Sequence, residues 1–211
     1  MTQASVPPDV DQVLRHNRMV MVRHVSVRFA LGAALVGLPF VLQSAGVSVS
    51  TLTVLPILPG LFLLLFLYLR VGLGRRLKVC EKVLRTYPLE YRSRVVKKQS
   101  QRLLLGDVHT VKLSVRGQHG APSMRAVSAS TVRRWPEGAE GGDAWFAGDS
   151  VFGGVMILAG TGDLFFLQPT GWEKFASERA QANPERRARA EQAGISRLLE
   201  KEPNSMAGLG N

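Results

Sequence analysis

The stretch "FALGAALVGLPFVLQSAGVSVSTLTVLPILPGLFLLLFLYL", residues 29 to 69, contains no Asp, Glu, Lys, Arg or His in 41 consecutive positions. A hydrocarbon core about 30 Å thick is crossed by about 20 helical residues at about 1.5 Å each. A stretch of this length therefore predicts a transmembrane helical hairpin. Its two spans would cover residues 29–47 and 52–72, with the turn "SVST" between them.

Two alternatives compete with the hairpin. A basic segment followed by an apolar one is also the general form of a secretory signal, which could be cleaved or retained ahead of a single span. The apolar region of such a signal is usually only about 7 to 15 residues long, whereas the hydrophobicity here resumes at Leu52. The other alternative is a buried hairpin of a soluble protein, which rarely needs so long an uncharged stretch.

Basic residues flank the uncharged stretch on both sides. They are Arg15, Arg18, Arg23 and Arg28 before it, and Arg70, Arg75, Arg76, Lys78, Lys82 and Arg85 after it. Because Lys and Arg are retained on the cytoplasmic side, we expect a multi-pass protein of the cytoplasmic membrane with both termini in the cytoplasm. Residues 1–28 are predicted to be a basic N-terminal segment that is partly an amphipathic helix.

The chain carries 27 basic and 16 acidic residues, and most of the excess lies just after the hairpin. Basic residues at a cytoplasmic face gain about 1 kcal/mol each from anionic lipid headgroups. The lipid bilayer and its anionic headgroups are thus predicted partners, with candidate contacts at Arg70, Arg75, Arg76, Lys78, Lys82 and Arg85. Nucleic acid binding through the basic 70–102 segment is an alternative, but no nucleic-acid motif accompanies it.

A series of short strand-like segments follows Pro88. They cover residues 89–96, 108–115, 124–128, 144–147, 152–158 and 163–168, and "AGTG" at 159–162 is a turn signal. They predict a small, mostly antiparallel β domain of the roll or barrel kind over residues 76–175. Residues 176–211 are predicted to be a helical tail with a frayed end, so the fold class is a membrane-anchored α+β protein.

The segment "WFAGD" is the sharpest local feature of the predicted domain. Adjacent residues of a strand point to opposite faces, so one of Trp145 and Phe146 should enter the core while the other is exposed or lies against another element. An exposed ring beside Asp149 would give an interaction surface made of Trp145, Phe146 and Asp149. The alternative is hairpin packing, with Asp149 and Asp163 as turn formers.

Nothing in the sequence indicates chemistry. The four histidines include no i,i+4 pair and have no cysteine nearby, and the chain lacks a G-x-S-x-G elbow and a phosphate-binding loop. We therefore predict no enzymatic activity, no cofactor and no metal site. Such a chain is expected to be an anchor or adaptor that presents its β domain to a protein partner or to a second copy of itself.

The layout resembles uncharacterised actinomycete-type membrane proteins with two N-terminal transmembrane spans and a small cytoplasmic β domain. The resemblance is carried by richness in Arg, Ala, Gly and Val together with "VLRTYPLEYRSRV" and "WFAGDSVFGGV". It covers roughly residues 29 to 175 and implies a fold, but it implies no activity and no site residues.

Overall fold

One uninterrupted helix joins the basic N-terminal segment to the first apolar segment. The computed structural model describes residues 6–46, 55–69, 72–103, 106–114, 123–130, 135, 136, 139 and 141–195. Helix α1 spans Val10–Ser44 and begins at Asp9, whose carboxylate accepts hydrogen bonds from the first-turn backbone. Its 35 residues extend about 52 Å, so α1 is considerably longer than a bilayer core is thick.

In the described part of the chain, α1 is the one helix long and apolar enough to cross a membrane by length and composition. A signal sequence near an N-terminus would satisfy the same criterion. Helix α2, Ile57–Leu69, is apolar but shorter. The predicted turn at residues 48–51 lies outside the described residues. Because α2 is too short to meet the length criterion for a membrane span, the structure supports one span and the second stays a proposal.

Helices α1 and α2 pack closely against each other. A Cβ atom added to Gly60 would lie 2.9 Å from Val36 Cγ2 and 3.1 Å from the Gly32 carbonyl oxygen. A Cβ atom on Gly32 would in turn lie 3.0 Å from the Leu64 side chain. Small residues at both positions therefore permit the short distance between the two backbones.

Helix α3, Gly72–Thr86, is amphipathic and leads into the β domain. Its buried side chains recur at helical spacing, at Leu77, Cys80, Val83 and Leu84. They pack on the sheet and on the C-terminal helix. Because this face is apolar and the opposite face is basic, the amphipathic pattern determines which side of α3 packs on the domain.

Seven antiparallel strands form one sheet that curls into a half-barrel. They are β1 Glu90–Arg92, β2 Arg94–Leu103, β3 Gly106–Ser114, β4 Ser123–Ser128, β5 Ala144–Asp149, β6 Gly153–Leu158 and β7 Leu164–Pro169, in the order β1-β5-β6-β7-β4-β3-β2. The edge strands β1 and β2 are separated only by Ser93, so the sheet must curl for its two edges to meet. The predicted small antiparallel β domain is confirmed. The predicted strand 89–96, however, is divided at Ser93 into β1 and the start of β2, which continues to Leu103.

The β5–β6 hairpin depends on glycines within its strands. Gly148 pairs with Gly154, and a Cβ atom on either would collide with the opposite backbone. Gly162, in the β6–β7 turn, has φ of 71°. Glycine tolerates both situations because it has no Cβ atom.

Two apolar clusters lie on opposite faces of the sheet. The inner cluster fills the half-barrel and includes Val111, Phe146, Met156 and Phe165. The outer cluster lies between β5–β7 and the helices. Since both faces of β5, β6 and β7 are covered, these strands are continuously apolar rather than alternating.

The C-terminal segment returns to cover the outer cluster. It comprises a 3₁₀ turn at Trp172–Phe175, α4 at Ala176–Gln181 and α5 at Pro184–Ala193. Asn183 caps α5 by accepting a hydrogen bond from the Glu185 amide, as its sequence predicts. The predicted frayed end lies outside the described residues.

Candidate functional site

A fully buried asparagine joins helix α1 to the β domain. Asn17 is 0% exposed, and its amide donates to the Gly162 carbonyl at 2.9 Å and to the Val13 carbonyl at 2.9 Å. Its side-chain oxygen accepts from the Leu164 amide at 3.2 Å. Leu14 is buried beside it in the outer cluster. The start of α1 is thus fixed to the β6–β7 turn by polar and apolar contacts together.

Ion pairs near the Asn17 contact join α1 to α3. Arg85 lies 3.2 Å from Asp11 and 3.3 Å from Glu81, and Arg18 lies 3.8 Å from Glu81. These side chains are largely exposed, and exposed pairs contribute about 0 to 1 kcal/mol each. They help to set the antiparallel alignment of the two helices, while most of the docking energy comes from the buried contacts.

The predicted interaction surface at "WFAGD" is corrected to a packing role. Trp145 is 8% exposed and lies in the outer cluster against the helices, whereas Phe146 is 4% exposed and lies inside the half-barrel. The two rings do point to opposite faces. Neither is available at the surface, because the helices cover Trp145 on the outer face of β5 and the half-barrel encloses Phe146 on its inner face. The sequence pattern of the strand alone does not reveal this covering.

Asp149 is a turn former and a partner for the C-terminal helix. Its carboxylate accepts from the Val151 amide at 2.8 Å and pairs with both Nη2 and Nε of Arg186. This hydrogen bonding to the carboxylate raises the pKa of Arg186 further above its ordinary value. The pairing holds α5 against the β5–β6 turn. It also engages both carboxylate oxygens of Asp149, which a ligand would otherwise contact.

Cys80 and Tyr87 are buried on the domain side of α3. Burial raises the pKa of the Cys80 thiol to about 12, and burial, followed by the Asp149 charge, raises the pKa of Tyr87 to about 12. A thiol with such a pKa is protonated at neutral pH and is not a nucleophile. Both residues are therefore packing groups.

His109 is buried at the edge of the inner cluster. Its Nδ1 lies 2.8 Å from Ser100 Oγ, and its ring makes edge contacts with Trp135 and Phe165. Burial lowers the pKa of His109 below its ordinary value, and this effect exceeds the opposing influence of Asp107. Among the described residues, no group of three His, Cys, Asp or Glu side chains could hold a metal ion.

The predicted lipid contacts lie along the exposed face of α3. Arg75, Lys78, Lys82 and Arg85 are exposed at a helical spacing opposite the buried stripe, and Arg76 is half-buried. Arg70 lies outside the described residues. The helix therefore brings most of the predicted basic residues onto one surface, although Arg85 is engaged by Asp11 and Glu81.

A second basic surface lies on the half-barrel itself, on the outer face of β2–β4. Neighbours of these residues in the strands point into the inner cluster, so by alternation Arg94, Lys112 and Arg125 point outward. The helices cover β5–β7 instead. The sequence patterns did not predict this surface, because it depends on which part of the sheet the helices cover.

Comparison with protein families, with characterised proteins and with solved structures finds no match to this chain.

Proposed function

We propose that this chain is a non-enzymatic adaptor of the cytoplasmic membrane that presents its β domain to a protein partner at the cytoplasmic face. The observation that carries the proposal is the buried Asn17 contact, because it fixes the domain directly to the helix that is able to span the membrane. A flexible tether would let the domain rotate freely. A fixed one gives it a constant orientation toward partners in the same membrane.

Two spans with both termini in the cytoplasm form part of the proposal. The start of α1 contacts the β domain, so the chain that leaves through α1 has to return to the same side. The close packing of α2 on α1 through Gly32 and Gly60 supports α2 as the returning span. The basic flanks favour the cytoplasm for the domain.

The partner surface in this proposal is the outer face of β2–β4. Arg94 and Arg125 are exposed there and Lys112 is half-exposed, so the face favours an acidic partner surface. The "WFAGD" segment is excluded as the contact, since its rings are buried. Deleting it would remove core residues rather than test binding.

Photocrosslinking in intact cells tests the adaptor function. A crosslinker placed at Thr110, which lies on β3 opposite Arg125 of β4, should capture one defined protein through an acidic segment. Arg94→Glu with Arg125→Glu should reduce the yield at least tenfold, and a reciprocal acid-to-base change in the captured segment should restore it.

The matched control is Arg187→Glu with Lys174→Glu, which makes the same charge change at exposed positions of the C-terminal segment, away from the face. Equal loss of crosslinking in both double variants would show a general charge effect and contradict the proposal. A yield that no reciprocal change restores would do the same.

A second candidate function, binding of anionic lipid, is supported by the basic face of α3. Arg75 and Lys78 lie within two turns of the α3 start, next to the apolar α2. In nanodiscs, the full chain should prefer phosphatidylglycerol over phosphatidylcholine, with a preference that falls as salt increases. Arg75→Gln with Lys78→Gln should weaken it, whereas Lys98→Gln with Arg94→Gln should not.

A further inference from the structure

A groove on the outer side of α1 combines exposed apolar side chains with three arginines. It has a volume of about 410 Å³ and is lined by Arg15, Arg18, Met19, Val22 and Arg23. Met19 is 68% exposed and Val22 is 52% exposed. Val22 is followed at i+3 and i+7 by Val25 and Phe29, which are 39% and 57% exposed, so these side chains share one helix face that joins the groove to the apolar span.

The length of α1 locates this groove relative to the membrane. The uncharged part of α1, from Phe29 to Ser44, has 16 residues and extends only about 24 Å, about 6 Å less than a hydrocarbon core. Counting about 20 residues back from Ser44 brings the hydrocarbon boundary to Val25. Arg28 can then extend its guanidinium to the headgroups.

The groove therefore begins at headgroup depth. The headgroup layer is about 5 to 7 Å thick on each side, and Val22 lies about 4.5 Å beyond Val25 along the helix. Met19 and Arg18 lie about 9 and 10.5 Å beyond Val25, a few ångströms outside this layer. The long arginine side chain can point back from there toward the phosphates. The apolar floor thus continues directly from the lipid-facing surface of the span.

The three guanidinium groups border the groove on different sides. On a helix, Arg18 and Arg23 are separated by about 140°, with Met19 and Val22 between them, and Arg15 lies one turn farther from the membrane. Guanidinium groups bind phosphate oxygens with two parallel hydrogen bonds. Glu81 lies 3.8 Å from Arg18 but is partly exposed, so this weak pair leaves Arg18 able to contact a phosphate.

We propose that this groove binds the phosphate and glycerol region of one anionic phospholipid, with the arginines on the phosphate and Val22 beside the glycerol. The acyl chains of that lipid then lie on the exposed Val25 and Phe29. Charge complementarity and continuity with the span favour this occupant. A second copy of α1 would place arginines against arginines. The inference rests on the proposed membrane location, but it does not depend on the adaptor function.

Lipid retention by the full chain in nanodiscs tests the site. The protein is reconstituted in phosphatidylcholine with a minor fraction of phosphatidylglycerol, and co-purified lipid is counted by native mass spectrometry after release. The wild type should retain phosphatidylglycerol in preference to phosphatidylcholine, and about one molecule should remain in an Arg75→Gln, Lys78→Gln background that removes the candidate contacts on α3. Arg18→Gln with Arg23→Gln should weaken that retention about 30-fold, since each basic residue contributes about a fivefold preference.

Arg187→Gln with Lys174→Gln is the matched control, because it removes the same charge from exposed positions of the C-terminal segment and should retain the lipid. Millimolar glycerol phosphate should not displace the lipid if the acyl contacts matter, whereas displacement would identify a site for soluble phosphate. Equal retention of both lipids by the wild type, or equal loss in both double variants, would overturn the proposal. A protein that fails to enter nanodiscs would instead refute the membrane location.

Discussion

Replacing Asn17 by alanine tests how firmly the membrane helix is fixed to the β domain. The variant removes the hydrogen bonds to the Gly162 carbonyl and from the Leu164 amide, and it leaves the amide of a fully buried residue without that partner. An unsatisfied buried donor costs about 1 to 3 kcal/mol, and a lost hydrogen bond contributes about 1 kcal/mol more. We therefore expect the docking of α1 to weaken by about 2 to 4 kcal/mol.

Hydrogen exchange of the full chain in nanodiscs measures this effect. Amides of residues 10–20 should exchange about 30 to 700 times faster in Asn17→Ala than in the wild type, since about 1.4 kcal/mol corresponds to a factor of ten. Amides of the apolar part of α1 should be unaffected. Gln12→Ala is the control, because it truncates an exposed amide side chain on the same helix. Equal exchange in the two variants would refute the role assigned to Asn17.

Three further predictions concern the packing and the buried titratable groups. Gly60→Leu should separate α2 from α1 and lower the melting temperature in detergent, because a Cβ atom at Gly60 meets atoms of α1 within 3.1 Å. Gly37→Leu should be tolerated, since a Cβ atom there has nothing within 4 Å. Similar melting temperatures of the two variants would contradict the packing. Cys80 should resist alkylation at pH 8 until the protein unfolds, since its pKa is about 12; rapid labelling of the native protein would contradict its burial. The folded pKa of His109 lies below the unfolded value of 6.5, so its neutral form is favoured by folding. Its contribution should be complete above pH 6.5 and lost as pH falls through the folded pKa, and His109→Gln should flatten the melting temperature between pH 5 and 7 whereas His16→Gln should not.

The strands and helices were largely predictable because their signals are local. Alternation and turn residues located six strand segments, and the Asn183 cap located the last helix. The sequence also marked the uncharged stretch and the basic flanks. The site was predicted less well: Asn17 occupies a polar position in an otherwise apolar stripe with Val13 and Leu14, a signal that could have identified it.

Composition and periodicity by themselves determined that this chain has a helix apolar enough for a membrane, a basic flank beside it and an antiparallel β domain, since charge and spacing act along the chain. Only the tertiary structure decided that Trp145 and Phe146 are both buried, because the covering of β5 depends on helices far away in the sequence. Likewise, it decided that Asn17 fixes α1 to a turn 145 residues later. Such contacts depend on how the curled sheet and the helices meet, which no local pattern encodes.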